Sequence, residues 1–204
     1  MSDVEANLSG DLSELLESME HKTKVGVVGL GKMGISHFAM IKTHPDVKTI
    51  ACDGTGFVVD VLNKNTDVLV YREFDDMMAA EQPDAVIIAT PSRLHAPMVR
   101  SALEAGVHVF CEKPFCLDWQ DSETLTQLAV DKGLVAQVGY HYRYVGAFQE
   151  MKRLIDAGAI GRITHVLAEA YGPVVLRSKR QTWRSQKSEG GGAFMTMQPI
   201  HLTC

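Results

Sequence analysis

The sequence predicts an α/β fold, in which a doubly wound parallel sheet is followed by the start of an incomplete α+β domain with an open sheet. Short apolar runs of strand length recur along the first two thirds of the chain, and segments of helical length separate them. Strands and helices that alternate in this way form parallel βαβ units with right-handed crossovers. A change of pattern after Gly139 predicts the second part.

The alternation of predicted strands and helices begins at Lys24. We expect strands near 24–29, 48–53, 68–71, 85–89, 107–111 and 134–138. The clearest intervening helices are predicted at 33–43, 94–105 and 119–132. Gly106 and Gly133 each stand just before a strand, at a position where helices commonly end on glycine. Residues 1–22 precede the first strand and are predicted to form an N-terminal extension.

The pattern that follows Gly139 predicts a second domain. Residues 147–157 are expected to form a helix, and residues 162–171 alternate polar and apolar side chains as a half-exposed strand does. One long strand cannot bury its apolar face alone. We therefore expect residues 23–144 to form the first domain and residues 145–204 to form the truncated start of a second.

The composition is that of a soluble globular protein, with 46% hydrophobic and 22% charged residues. The formal net charge of −5 and the lack of a clustered basic stripe argue against a nucleic-acid partner. No apolar stretch is long enough to cross a membrane. The four cysteines show no paired metal-ligand spacing, so we expect no metal site and reduced thiols in the cytoplasm.

A nucleotide fingerprint follows the first predicted strand. Gly29, Gly31 and Gly34 spell G-x-G-x-x-G at the start of a helix, with Lys32 and Met33 between the last two glycines. The first glycine allows a tight turn, the second lets backbone approach a pyrophosphate, and the third packs the helix against the strand. The amino end of the helix then faces the phosphates. The sequence thus predicts a Rossmann-type domain in which these five residues contact a dinucleotide.

Asp53 ends the second predicted strand, at about the spacing expected for a carboxylate that binds the ribose 2′-hydroxyl. A carboxylate at this position would repel a 2′-phosphate. NAD is therefore favoured over NADP as the cofactor. The alternative is that Asp53 only forms a turn before Gly54.

Two further strands end in polar residues. Glu112 and Lys113 follow an apolar run and precede a proline, which cannot continue a central strand. Thr90 and Pro91 follow the apolar run 85–89 in the same way. Because ligands of doubly wound sheets bind at the carboxyl ends of the strands, we expect these residues to face the cofactor.

Four motifs occur in order within residues 24–192, namely Gly29-x-Gly31-x-x-Gly34, Thr90-Pro91-Ser92-x-x-His95, Glu112-Lys113-Pro114 and Gly139-Tyr140-His141-Tyr142-Arg143. On these motifs the chain resembles the glucose–fructose oxidoreductase / inositol dehydrogenase (Gfo/Idh/MocA) family. The resemblance implies an NAD(P)-dependent oxidoreductase that transfers a hydride between the nicotinamide and a hydroxyl or keto carbon. The implied substrate is a sugar, a cyclitol or a related compound, and a full-length relative is expected to be a homo-oligomer.

The resemblance also implies roles for individual residues. Lys113 would be the catalytic lysine that contacts the substrate hydroxyl and the nicotinamide region. His95 and Glu112 would lie near the cofactor, and Arg143 near the entrance of the site. The residue types fit, because a lysine beside a cofactor can take the hydroxyl proton while hydride leaves the carbon. The alternatives are a local hydrogen bond for His95 and a charge pair with Lys113 for Glu112.

The end of the chain departs from the family pattern. After a run of three glycines the family continues with a helix that carries Asp-x-x-x-His on one face, and the histidine is the usual acid/base. His201 is the candidate here, but Met197 stands four residues before it and cannot orient an imidazole. Pro199 also interrupts a helix. Trp183 and Arg184 are candidate substrate contacts, with a loop anchor as the alternative.

Residues 193–204 carry a second interpretation. If the codons are shifted by one base, Met195 and Thr196 must yield an aspartate, and the shifted tail can contain Asp-x-x-x-His at the family's spacing. Our hypothesis is a frameshifted end, with chance as the alternative. We then expect a truncated chain that is weakly active or inactive. The competing function is a catalytically dead dinucleotide-binding module that acts as a sensor or interaction protein.

Overall fold

The structure, a computed structural model, describes residues 22–167 and residue 169. Its strands are β1 (Thr23–Val28), β2 (Val47–Cys52), β3 (Val70–Tyr71), β4 (Ala85–Ile88), β5 (His108–Cys111) and β6 (Ala136–Val138). Its α-helices are α1 (Lys32–Lys42), α2 (Gly56–Asn65), α3 (Phe74–Glu81), α4 (His95–Glu104), α5 (Trp119–Asp131) and α6 (Gly146–Asp156). Single 3₁₀ turns occur at Ser92–Leu94 and His141–Tyr144. The predicted alternation is confirmed, with each predicted boundary within about two residues of the observed one.

The six strands form one sheet in the order β3-β2-β1-β4-β5-β6. The pairs β1–β2, β2–β3 and β5–β6 are parallel, and their registers place Val28 opposite Cys52 and Cys111 opposite Val138. This strand order is that of a doubly wound Rossmann sheet, as the sequence predicts.

The chain divides into two compact units, residues 1–87 and residues 88–204. In the first unit, Ile50 of β2 and Met77 of α3 are completely buried. In the second unit, Leu103 of α4 is completely buried. The apolar runs of the strands are explained by this burial, because parallel strands are covered by helices on both faces.

The helices of the second unit begin and end within one residue of the predicted positions. Gly106 and Gly133, with φ of +81° and +64°, follow α4 and α5 in the left-handed region that glycine adopts without strain. At the other end of α5, the Asp118 carboxylate accepts a hydrogen bond of 2.8 Å from the backbone N–H of Gln120. The end of α4 determines where β5 begins, and the end of α5 determines where β6 begins. The start of β5 in turn determines the position of the residues that follow this strand.

One predicted element is wrong where the structure describes it. Residues 162–167 lie in no strand or helix, and all six are exposed. Alternation of polar and apolar residues favours a strand, but a strand also needs hydrogen-bonded neighbours to be stable. The predicted extension at 1–21 and the frameshift hypothesis for 193–204 lie outside the described residues. Within the described part of the chain, no helix is long and apolar enough to cross a membrane.

Cys52, Cys111 and Cys116 are buried free thiols. Burial, reinforced by the carboxylate of the neighbouring Asp53, raises the pKa of Cys52 to about 12. Burial likewise raises the pKa of Cys111 well above its ordinary value. Both thiols therefore stay protonated at neutral pH, and a protonated thiol is a poor nucleophile.

We expect the free energy of unfolding to fall as the pH rises from about 9 towards about 12. The ordinary thiol pKa of 9.0 applies to Cys52 in the unfolded chain, and the native pKa of about 12 is higher. The unfolded chain therefore loses this proton first, so the stabilisation is complete below pH 9 and is lost above it. Urea unfolding at pH 8 and at about pH 11 measures the fall. A Cys52→Ala variant that loses as much stability as the unsubstituted chain over this range would contradict the assignment.

Candidate functional site

The glycine turn that follows β1 leaves open space in front of a helix terminus. Gly29 has φ of +85°, and its N–H donates to the carbonyl oxygen of Cys52 at 2.8 Å. Gly31 is exposed at the start of α1, and a Cβ at this position would meet no atom within 4 Å. Lys32 and Met33 occupy the first turn of α1, where backbone N–H groups lack helical acceptors. The turn therefore fits a phosphate, because those N–H groups and the helix dipole favour an anion.

Gly34 is the buried glycine of α1, as expected for the third glycine of the fingerprint. A helix that lies against a strand has little room for a side chain at the point of closest approach. The packing role that the sequence predicts for Gly34 agrees with this burial.

Asp53 joins the end of β2 to the glycine turn. One carboxylate oxygen accepts the backbone N–H of Leu30 at 2.6 Å, and the other accepts that of Thr55 at 2.7 Å. A carboxylate offers about four acceptor positions, so these two bonds leave capacity for a ribose hydroxyl. The bond to Thr55 is the turn that the sequence suggested. The bond to Leu30 was not predicted, because Leu30 follows β1 whereas Asp53 follows β2.

In the second unit, β5 ends at a buried carboxyl group. The backbone N–H of Glu112 donates to the carbonyl oxygen of Ile88 at 2.8 Å, and its side chain is buried. The Glu112 carboxylate accepts the backbone N–H of Lys113 at 3.3 Å. Lys113 itself is half-buried, and a cis peptide bond joins it to Pro114. The structure thus places an acid and a base together where the strand ends.

Gly139 packs directly against this acid. Its N–H donates to the carbonyl oxygen of Cys111 at 2.8 Å. A Cβ on Gly139 would lie 3.2 Å from the Glu112 carboxyl group and 3.2 Å from the ring of Phe110. A glycine therefore lets the end of β6 cover the carboxylate. This contact of Gly139 is not predicted from the sequence, although the position of Gly139 just after a predicted strand is consistent with it.

His95 is the first residue of α4 and is only 1% exposed. Its Nδ1 lies 2.7 Å from the carbonyl oxygen of Pro114, and its Nε2 lies 2.9 Å from the carbonyl oxygen of Thr90. The contact with Thr90 is the local hydrogen bond that is the alternative role of His95. The contact with Pro114 is non-local and was missed. Pro91 is exposed and precedes the 3₁₀ turn at Ser92–Leu94.

Arg143 lies in the exposed 3₁₀ turn His141–Tyr144. It lines a groove beside β6 with Gln137 and Tyr140. Burial raises the pKa of the Tyr140 hydroxyl, so this group remains a neutral hydrogen-bonding group at physiological pH. The remaining candidates, Trp183, Arg184 and His201, lie outside the described residues.

Two sets of residues are thus brought together. In the first unit they are the glycine turn and Asp53, which can hold a phosphate and a ribose. In the second unit they are two pairs at the ends of β4 and β5, Thr90 with His95 and Glu112 with Lys113, and His95 also contacts Pro114, the residue after Lys113. Within residues 22–167, no cluster of three or more histidine, cysteine, aspartate and glutamate side chains could hold a metal ion.

The fold and the glycine turn agree with a family model described as an oxidoreductase family with an NAD-binding Rossmann fold. The family model with that description matches residues 23–140, and the model described as the GFO/IDH/MocA C-terminal domain matches residues 148–202. The chain belongs to the GFO/IDH/MocA oxidoreductase family.

Among curated relatives, scyllo-inositol 2-dehydrogenase (NAD(+)) of Bacillus subtilis is 32% identical over 148 residues, which are 71% of this chain and 43% of that protein. Inositol 2-dehydrogenase 4 of Saccharopolyspora erythraea is 33% identical over 151 residues, with 68% and 42% covered. Each match therefore spans less than half of the relative's length.

Solved structures of the same family have a fold similar to that of this chain. Scyllo-inositol dehydrogenase from Lactobacillus casei, with bound NAD(H) and scyllo-inositol, has a TM-score of 0.64 and 37% identity, and 70% of this chain and 43% of that chain are covered. The WlbA dehydrogenase from Bordetella pertussis, in complex with NADH and UDP-GlcNAcA, has a TM-score of 0.65 and 28% identity, with 70% and 42% covered.

Proposed function

We propose that this chain belongs to an NAD-dependent dehydrogenase of cyclitols, sugars or related polyols. The observation that carries the proposal is the half-buried Lys113 at the end of β5, beside the buried Glu112 carboxylate. A lysine held there can exchange a proton with a substrate hydroxyl. The inositol dehydrogenases among the relatives support a cyclitol, and the nucleotide-sugar complex of WlbA supports the wider sugar class.

The cofactor is proposed to be held by the residues of the glycine turn and by Asp53. The backbone N–H groups of Lys32 and Met33 would bind the pyrophosphate. The spare acceptor positions of Asp53 would bind the ribose hydroxyls, and its charge would disfavour the 2′-phosphate of NADP. Thr90, Pro91 and Glu112 are proposed as further contacts of a nicotinamide cofactor.

In the proposed mechanism, bound NAD supplies the hydride acceptor, and the protein handles the proton. The Lys113 Nζ takes the proton of the substrate hydroxyl in the oxidation direction and returns it in the reduction direction. Glu112 holds the backbone of Lys113 through the hydrogen bond to its N–H. Arg143, Trp183 and Arg184 are proposed to contact the substrate, and His201 is a further candidate acid/base.

The proposed domains are residues 23–144 for the cofactor and residues 145–204 for the start of a substrate domain. The two family matches, at 23–140 and 148–202, support this division. The second match extends into the tail that the frameshift hypothesis reinterprets. Sequencing the gene through codons 190–204 tests that hypothesis directly.

A second candidate function is a dinucleotide-binding module without turnover. The observation that favours it is Met197, which stands where the family pattern has the aspartate that precedes the histidine. Such a chain would keep the glycine turn and Asp53 and would use NAD as a signal rather than as a reactant.

Titration of the purified chain with NADH, followed by assays on scyllo-inositol, myo-inositol and a UDP-linked sugar acid, separates the candidates. We expect saturable NADH fluorescence enhancement, weaker binding of NADPH, and NAD-dependent turnover of at least one of these compounds. Saturable binding without turnover would favour the module. A folded chain that binds neither NADH nor NAD⁺ would contradict both functions.

A further inference from the structure

The buried ring of His95 connects two backbone carbonyl groups. In either neutral tautomer the ring donates one hydrogen bond, to Thr90 or to Pro114, and a protonated ring donates to both. A buried carbonyl oxygen that loses its donor is costly, so a proton on Nδ1 restricts the Pro114 segment and a proton on Nε2 restricts the Thr90 segment. Thr90 lies just beyond the end of β4, and Pro114 just beyond the end of β5.

The chain leaves the sheet between Glu112 and Pro114. Up to Glu112, β5 is held in the ladder, because the Glu112 N–H donates to the carbonyl oxygen of Ile88. Pro114 has no N–H with which to continue that ladder. The carbonyl oxygen of Pro114 instead accepts a hydrogen bond from His95 when Nδ1 carries a proton, and the N–H of Lys113 donates to the Glu112 carboxylate. Lys113 therefore lies between two hydrogen-bonded anchors, one on each side.

We propose that His95 is a positioning residue for Lys113, which acts through its hydrogen bond to the Pro114 carbonyl group rather than by touching the cofactor or substrate. The proposal rests on the proposed function for its catalytic meaning. The placement of Lys113 by His95 is testable without turnover. A merely structural histidine would matter equally through either of its two contacts, whereas a positioning histidine must act through the contact beside Lys113.

Two substitutions separate the contacts. In His95→Asn the side-chain amide can place a donor where Nδ1 was, and so keep the bond to Pro114. In His95→Gln the longer amide can place a donor near the position of Nε2, and so keep the bond to Thr90. Each variant loses one ring contact, so their losses of thermal stability should be similar. His108→Asn is the matched control, because His108 contacts the backbone N–H of Val135 at the amino end of β5.

The measurement is the rate at which Lys113 is reductively methylated, determined by peptide mass spectrometry relative to the exposed Lys132. In His95→Gln we expect Lys113 to react about fivefold faster, a factor that corresponds to ~1 kcal/mol for one lost hydrogen bond. In His95→Asn and in His108→Asn the relative rate should stay close to that of the unsubstituted chain. Equal rates in the two His95 variants, both folded by circular dichroism, would overturn the proposal.

Protection of Lys113 by NADH is measured in the same samples and tests the proposed function separately. If NADH slows the methylation of Lys113 in the unsubstituted chain, the lysine lies at the cofactor. If NADH binds without protecting Lys113, the catalytic assignment fails. The difference between the two His95 variants in the absence of cofactor still decides the positioning role.

Discussion

Replacing Lys113 by methionine is expected to lower the single-turnover rate of NADH oxidation by a keto substrate by about 100-fold or more, the range for loss of a general acid or base. Methionine keeps much of the lysine's apolar stem but cannot exchange a proton. The NADH dissociation constant should change little, because the glycine turn and Asp53 are untouched. Stopped-flow absorbance with the protein in excess over NADH measures the rate even when steady-state turnover is slow.

Lys113→Arg separates proton transfer from charge. Arginine keeps the positive charge but does not deprotonate in proteins, so it can neither give a proton to the keto substrate nor act as the base in the reverse direction. We expect the single-turnover rate of Lys113→Arg to be nearly as low as that of Lys113→Met. Lys132→Met is the control, because Lys132 is an exposed lysine at the end of α5, and its single-turnover rate should be unchanged. An arginine variant with close to the original rate would show that position 113 contributes charge and not proton transfer.

Asp53→Ala is expected to weaken NADH binding by about tenfold or more, since hydrogen bonds to a charged group contribute roughly 1.5–3 kcal/mol each. The substitution removes the acceptor of both the Leu30 and the Thr55 N–H groups. It therefore loosens the glycine turn in addition to removing the ribose acceptor. Preference for NADH over NADPH should also decline, because the charge that repels the 2′-phosphate is gone. Fluorescence titrations with both cofactors measure the two effects.

Asp53→Asn is the matched variant for this prediction. Its amide oxygen can accept only one of the two backbone N–H groups, and its NH₂ group faces the other. Its NADH affinity should fall between those of the unsubstituted chain and Asp53→Ala. Asp67→Ala, at a side chain that is 99% exposed, controls for loss of a surface charge and should bind NADH normally. Unchanged NADH affinity in Asp53→Ala would contradict the proposal that Asp53 binds the ribose hydroxyls.

Local sequence patterns were sufficient for the sheet and for the conformation of the glycine turn. The apolar runs of β1, β2, β4 and β5 each end in buried residues, and their short length indicates strands rather than helices. Gly29, Gly106 and Gly133 occupy left-handed backbone conformations at the turns where the sequence places them. The strand predicted over 162–167 is wrong. Alternation of polar and apolar residues indicates which face of a strand could be buried, but it does not show whether a neighbouring strand is present to pair with it.

The sequence by itself determined the α/β class, the strand–helix order and the family, because each follows from local periodicity or from ordered motifs. Only the tertiary structure showed that Asp53 binds the glycine turn and that Gly139 covers the Glu112 carboxylate. It alone showed that His95 lies between the carbonyl groups of Thr90 and Pro114. Apart from the contact of His95 with Thr90, these contacts join residues that are distant along the chain. They arise when parallel strands bring their carboxyl ends to one edge of a sheet, and no local pattern encodes which partners meet there.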